Sequence, residues 1–264
     1  MLQFDILTRL PDVLAWLPWL IPLGLALSAF RVIQRIRFTK QRGADGEAQV
    51  GRVLEQLFRQ VRHDLILPNG RGGLTQLDHV ALTPAGLLVV ETKNYRGTIL
   101  GHAKDVTWTQ ALGGKRYCFQ NPLRQNHAHL NAVEALGLGV PVMGRVVFTS
   151  AASFPQGLPD GVSQLHKLRD DLASLRRGRA PAAIAIAWRT LLTQARTDRK
   201  ARRAHRRGLR ARFGWDRRAR TAFVLLLLAA VSAGGVWWSQ GVLLSDAVAS
   251  VQSALLTGSA ILHR

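Results

Sequence analysis

Cysteine is almost missing from this chain: Cys118 stands alone among 264 residues. A single thiol excludes an internal disulfide and any zinc site built from several cysteines. As a small hydrophobe, Cys118 is expected to be buried. Acidic side chains are scarce, with 16 Asp and Glu against 36 Lys and Arg, for a formal net charge of +20. Repeats are missing too, and the one biased stretch is a basic run late in the chain. Between residues 13 and 30 (VLAWLPWLIPLGLALSAF) charge disappears altogether. That block lacks the marks of a cleaved secretory signal, because Asp5, Arg9 and Asp12 precede it and the basic residues follow it. It is expected to be an uncleaved membrane anchor, about 20 apolar residues being what a helix needs to cross a bilayer. Pro18 and Pro22 are expected to kink it.

What is present is asymmetric. Arg31, Arg35, Arg37, Lys40 and Arg42 follow the first apolar block, and from Arg196 to Arg220 twelve basic residues meet only Asp198 and Asp216. A second apolar block, 221–244, comes straight after. Lys and Arg mark the cytoplasmic flanks of membrane helices. The expected arrangement is a two-span protein of the cytoplasmic membrane with both termini outside and the middle of the chain in the cytoplasm. Trp16, Trp19, Trp237 and Trp238 then lie near the outer interface, and Gly234-Gly235 permits close packing of the spans. The chain divides into an outer segment 1–12, a span 13–30, a basic linker 31–42, a domain 43–180, an Arg-rich helical segment 181–220, a span 221–244 and an outer tail 245–264. The basic run suits anionic lipid and equally suits nucleic-acid phosphates.

The middle reads as an α/β (α+β) domain. Val50, Val53, Leu54, Leu57, Phe58 and Val61 recur at the helical period, so 46–61 is a helix with one buried face. Glu47 falls in its first turn, where the helix dipole favours a carboxylate. Leu65-Ile66-Leu67 is a short strand, and Asn69 to Gly73 a glycine-rich loop in which Arg71 offers a phosphate contact. Two apolar runs, 77–82 and 87–90, flank Thr83-Pro84-Ala85-Gly86 and form a hairpin. Further strand material lies at 98–103, 106–108, 140–148 and 162–168, with Trp108 as a packing anchor. Asn121-Pro122 opens a helix; others are expected at 168–175 and 182–195.

The chemistry gathers on the hairpin. Asp78 is early on its first strand, and Glu91 and Lys93 are late on its second. Antiparallel pairing brings those ends together, and residues two apart share a face. Two carboxylates beside one ammonium suit Mg²⁺ with waters and a substrate phosphate; the ordinary alternative is a solvated ion pair at a strand end. His127 and His129, two apart, have the wrong spacing for a pair of helical metal ligands.

Several pieces follow in a set order: Gly43-Ala-Asp-Gly46-Glu47, Asp78-His79-Val80, Gly86, Glu91-Thr92-Lys93-Asn94-Tyr95-Arg96-Gly97, Trp108 and Asn121-Pro122-Leu123-Arg124-Gln125. In this, 43–176 resembles the nuclease-related domain (NERD) family, grouped with the PD-(D/E)xK nucleases. The resemblance implies a restriction-endonuclease-like mixed β-sheet flanked by helices. It implies Mg²⁺- or Mn²⁺-dependent phosphodiester hydrolysis of DNA or RNA. Asp78 and Glu91, with the Thr92 carbonyl, would hold the metal. Lys93 would position or activate water, and Glu47 and Gln125 would support the site. Arg124 stands where the family often carries an acid. Arg71, Arg96, Arg124, Arg202, Arg203, Arg206 and Arg207 are the candidate nucleic-acid contacts. A non-catalytic nucleic-acid-binding module and a membrane scaffold are the alternatives.

Overall fold

The computed structural model of the protein describes residues 15–149, 152–214 and 216–261. The outer segment 1–12 lies outside them. The chain forms two compact units, one of Thr39–Gly214 and one of Met1–Phe38 with Trp215–Arg264. The larger unit therefore runs past residue 180 and takes in the helices that follow.

After a 3₁₀ turn at Leu17–Trp19, helix α1 spans Leu20–Leu57 without a break. The basic stretch 31–42 is thus helix, not linker, and residues 46–57 are not a separate helix. No proline occurs between Pro22 and Pro68, and Pro22 sits in the first turn, where no donor is lost. Val61 does not close the helix; it opens strand β1 (Val61–Pro68). The hairpin is present as β2 (Leu74–Thr83) and β3 (Gly86–Lys93). Gly86 has φ +145°, and a Cβ there would collide with the Pro141 carbonyl.

The main sheet has the order β1-β2-β3-β7-β9, with β7 at Val142–Phe148 and β9 at Val162–Gln164. β3 pairs antiparallel with β2 and parallel with β7, and is buried along nearly all its length. A continuous apolar run is what such a strand requires. On one face lie Val50, Leu54 and Leu57 of α1, packed with Leu88 and Val90. On the other, Val133 of α2 (Pro122–Glu134) and Trp188 and Leu191 of α3 (Ala182–Gln194) meet Leu87 and Val89. Asn121 caps α2, its side chain accepting from the Leu123 N–H.

The expected strand material at 98–103 and 106–108 belongs to a second sheet of order β6-β5-β4-β8, formed by Gly97–Leu100 (β4), Thr107–Leu112 (β5), Lys115–Gln120 (β6) and Ala152–Ser153 (β8). Trp108 anchors it, stacked on Phe148 at 6.2 Å. Cys118 lies on the edge strand β6 and is exposed, not buried; most of that strand has nothing packed on it.

Helix α4 (Arg199–Phe213) carries the basic run. Before it starts, Arg196 exchanges both backbone hydrogen bonds with Ile66 of β1. Ala201 is then fully buried, and His205 Nδ1 donates to the Leu74 carbonyl at 3.0 Å. The helix is fastened to β1 and β2 on one side only.

In the smaller unit, α5 (Arg217–Ile261) continues through the supposed outer tail. Its segment Arg217–Val242 and the helix from Leu17 are long and apolar enough to cross a membrane. Trp19, Leu23 and Ala26 of the one and Ala229, Ala230 and Ala233 of the other line one apolar cavity. Gly234 and Gly235 face open space, so the glycine pair makes no close approach.

Candidate active site

The site forms where the β1–β2 ladder is interrupted. His63 pairs with His79 and Leu65 with Leu77, but Asp64 and Asp78 between them do not pair. Asp64 takes φ +55°, an unusual conformation for a residue with a side chain. Leu77 and Val80 consequently reach the same core, although a regular strand would send them to opposite faces. Freed from the ladder, the Asp78 carboxylate itself accepts the Thr92 N–H, at 2.9 Å on Oδ2. Thr92 thereby anchors Asp78 through its backbone.

Glu91 and Lys93 share a face, as alternation requires, and Lys93 Nζ donates to Glu91 Oε1 at 2.6 Å. The same ammonium donates to Gln125 Oε1 at 2.9 Å. Gln125 and His129 are four apart on α2 and lie on one face. His129 Nε2 donates to Glu91 Oε2 at 3.1 Å, and its Nδ1 meets Thr75 Oγ1 at 2.8 Å. Glu91 and His129 are 3% and 6% exposed.

Glu47 approaches from the other side. It stands deep inside a 38-residue helix, so the helix dipole does not account for it. Asn94 donates to the Arg42 carbonyl and accepts from Thr149 Oγ1, tying α1 to the end of β3. Gly46 lies against Asn94 with no room for a Cβ. Glu47, Asp64, Asp78, His63 and His79 line one cavity of about 390 Å³.

The electrostatics follow from crowding. Burial pushes Asp78 well above the usual carboxylate range, and the charges of Glu91 and Glu47 add to it. Burial also raises Glu47, helped by Asp64 and Glu91. Burial alone would raise Glu91 as well, but the hydrogen bond from His129 and the Lys93 charge reverse this and hold it low. Burial opposes the Lys93 ammonium, yet Glu91 outweighs it and Lys93 is held above its ordinary value. Lys93 thus stands as a donor to both Glu91 and Gln125.

Among the described residues no group of three or more His, Cys, Asp or Glu is arranged around a common ion position. The donors that are present still fit a hard dication. They are carboxylate oxygens, and Asp78 Oδ1 takes no hydrogen bond from the described residues. Magnesium commonly takes one or two carboxylates and fills its shell with water and phosphate oxygens.

The candidate arginines are dispersed. Arg71 is in a loop ordered by Asn69, whose side chain accepts from the backbone of Arg71 and Gly73. Arg96 and Arg124 are exposed. Arg202 reaches the cavity rim, 3.6 Å from Asp64, while Arg203, Arg206 and Arg207 are exposed.

Sequence reasoning placed His129 at i+4 from Gln125 and set it aside as a metal pair with His127, without giving it a role; it passed over Thr75, Asp64 and the pair His63–His79. His127 is exposed and His129 buried, so the helical register of 125 and 129 was the one available signal. On the α1 face His79 Nε2 meets Thr92 Oγ1 at 3.1 Å and His79 Nδ1 meets His63 Nδ1 at 2.7 Å. Burial and the neighbouring His63 lower His79 from 6.5 to about 3. A depressed folded-state value gives stability that is complete above the unfolded value and is lost as pH falls towards 3. Wild-type protein is expected to lose about 2 kcal/mol between pH 7.5 and 5 through this group, at about 1.4 kcal/mol per pH unit. His79→Gln should remove that part of the slope in urea titrations followed by circular dichroism. An unchanged slope would show that another group carries it.

A mixed sheet flanked by helices, with Asp78 and the Glu91–Lys93 pair at neighbouring strand ends, defines an α/β domain with a buried carboxylate–ammonium cluster. Residues 42–149 match the model of the nuclease-related domain, NERD. The chain is also 41% identical over 100 residues to an uncharacterized protein of Bacillus anthracis, covering 37% of this chain and 47% of the relative. The chain thus matches about half the length of that relative. No solved structure matches the chain. Both apolar helices, apart from the final part of α1, and the basic helix α4 lie outside the matched residues.

Proposed function

We propose that the protein is a membrane-anchored nuclease that hydrolyses phosphodiester bonds of DNA or RNA with Mg²⁺ or Mn²⁺. The observation that carries the reading is the meeting of Asp78, Glu91 and Lys93, with Gln125 on the lysine and Glu47 lining the cavity that Asp78 also lines. Asp78 and Glu91 are the residues that would hold the cation. Bound there, it would act as a Lewis acid on a phosphoryl oxygen. Lys93, kept charged by Glu91 and aimed by Gln125, orients water through Nζ–H and offsets negative charge as it builds in the transition state. Glu47 adds an acceptor on the α1 side. Full-length protein in detergent should cleave DNA, RNA or both with Mg²⁺ or Mn²⁺ and stop on chelation. Binding without cleavage under every metal condition would instead make it a nucleic-acid-binding module.

Helix α4 is proposed to hold the substrate backbone. What supports this is its attachment beside the cavity, with Arg202 at Asp64. Arg203, Arg206 and Arg207, at i, i+3 and i+4, share its exposed side. Replacing these three by Gln should weaken binding and lower the slope of log affinity against log salt by about 0.7–0.9 for each phosphate no longer neutralised. An unchanged slope with lost attachment to anionic vesicles would assign the helix to lipid.

The two apolar helices and their basic flanks support insertion in the cytoplasmic membrane, with the domain in the cytoplasm and both termini outside. A reporter fused after Arg264 should be active only on the outer side; activity in the cytoplasm would overturn the two-span topology.

A further inference from the structure

We infer that His129, backed by Thr75, is the positioning residue that fixes the Glu91 carboxylate for the cation; this rests on the nuclease reading above. Three elements converge here: Thr75 from β2, Glu91 from β3 and His129 from α2. A carboxylate that is ionised only accepts, so Nε2 is the nitrogen of His129 that carries the proton, and it donates to Glu91 Oε2 at 3.1 Å. Nδ1 is held by Thr75 Oγ1 at 2.8 Å, and a hydroxyl both donates and accepts, so the contact orients the ring whatever proton Nδ1 carries. Lys93 takes the other oxygen, Oε1, at 2.6 Å. Glu91 is therefore gripped at both oxygens, and its plane cannot rotate without breaking a buried bond. His129 and Gln125 lie one turn apart on the same helix. One rigid element thus sets the carboxylate through His129 and the ammonium through Gln125.

A buried His–carboxylate bond also has an ordinary structural use, and the two roles separate experimentally. Outer partners of metal ligands typically cost about 10–100-fold in metal affinity when lost. Mn²⁺ binding to the full-length protein in detergent, measured by calorimetry without nucleic acid, should weaken by about that factor in His129→Ala. His129→Gln, which keeps a donor near the Nε2 position, should recover most of the affinity. Thr75→Val keeps the shape but not the hydroxyl, and should weaken binding to a lesser degree. Thermal midpoints of all variants are measured beside the affinities. His129→Ala and Thr75→Val proteins that melt earlier yet bind Mn²⁺ as wild type does would make the contact purely structural and overturn the inference, leaving the nuclease reading intact. Equal weakening in His129→Ala and His129→Gln would also overturn it, because no positioned donor would then be needed. Wild-type protein that binds no Mn²⁺ and cleaves nothing removes the nuclease reading itself, and the inference with it.

Discussion

Asp78→Asn and Glu91→Gln are each expected to abolish hydrolysis while the domain stays folded. Each change keeps the shape of the side chain and removes the charge that a dication needs. Asparagine retains a carbonyl oxygen for the Thr92 N–H, which Asp78 accepts at 2.9 Å, so the strand end should keep its geometry. Glutamine at 91 still offers an acceptor to Lys93 or His129, but the attraction holding the ammonium is lost. Lys93→Ala differs in kind. It takes away no carboxylate, so Mn²⁺ affinity should persist while the rate falls by about 10²–10³-fold, the usual loss for one preorganised electrostatic donor. The double variant Asp78→Asn with Lys93→Ala should lose far less than the product of the single losses, because residues that act as one unit are not additive. Cleavage assays, calorimetry and circular dichroism on the same preparations decide it. Folded Asp78→Asn protein with the wild-type rate would end the assignment.

The same Asp78→Asn protein is expected to be more stable than wild type at neutral pH. Burial and the charge of Glu91 hold the Asp78 carboxyl well above its ordinary value. A proton is then bound more tightly in the folded state than in the unfolded chain. The contribution of this group to stability is complete below the unfolded value near about 4, and is lost as pH rises through the folded value. At pH 7.5 the ionised carboxylate is a cost, and the amide removes it. The gain at pH 7.5 should shrink towards zero near pH 4. A bound dication offsets the same charge. Saturating Mn²⁺ should therefore raise the wild-type melting point, by about 2.7 kcal/mol of stability at a hundred times its dissociation constant, and leave Asp78→Asn unmoved. The affinity itself should rise with pH until Asp78 is fully ionised, since proton and cation compete for one carboxylate. A variant no more stable at pH 7.5, or a wild-type melting point indifferent to Mn²⁺, would show that Asp78 is not strained by its charge.

Some elements were legible because their signals are local. The hairpin follows from two apolar runs about one Pro/Gly turn, and the shared face of Glu91 and Lys93 from their separation by two. Asn121-Pro122 announced α2 because a cap and a fixed φ act within one turn. Elsewhere a local signal misled. Glu47 resembled a first-turn carboxylate because Gly43 and Gly46 resemble a helix start, yet the helix runs through both. Cys118 was expected to be buried because thiols usually are; β6 is instead a largely exposed edge strand. Of the second sheet, β4 and β5 fall on strand material the sequence shows, while β6 was missed because an exposed outer strand has little apolar pattern to read.

The sequence by itself determined the two apolar blocks with their basic flanks, the hairpin, and the residue types that meet on it. These depend on composition and on periods of two and 3.6 residues, which a chain carries whatever it packs against. Only the tertiary structure decided that His129 and Thr75 grip Glu91, that Asn94 ties α1 down beside Glu47, that Asp64 interrupts the ladder opposite Asp78, and that α4 fastens beside that interruption. Each joins segments far apart in the chain, and the burial that sets their charges exists only once the sheet has closed between its helices.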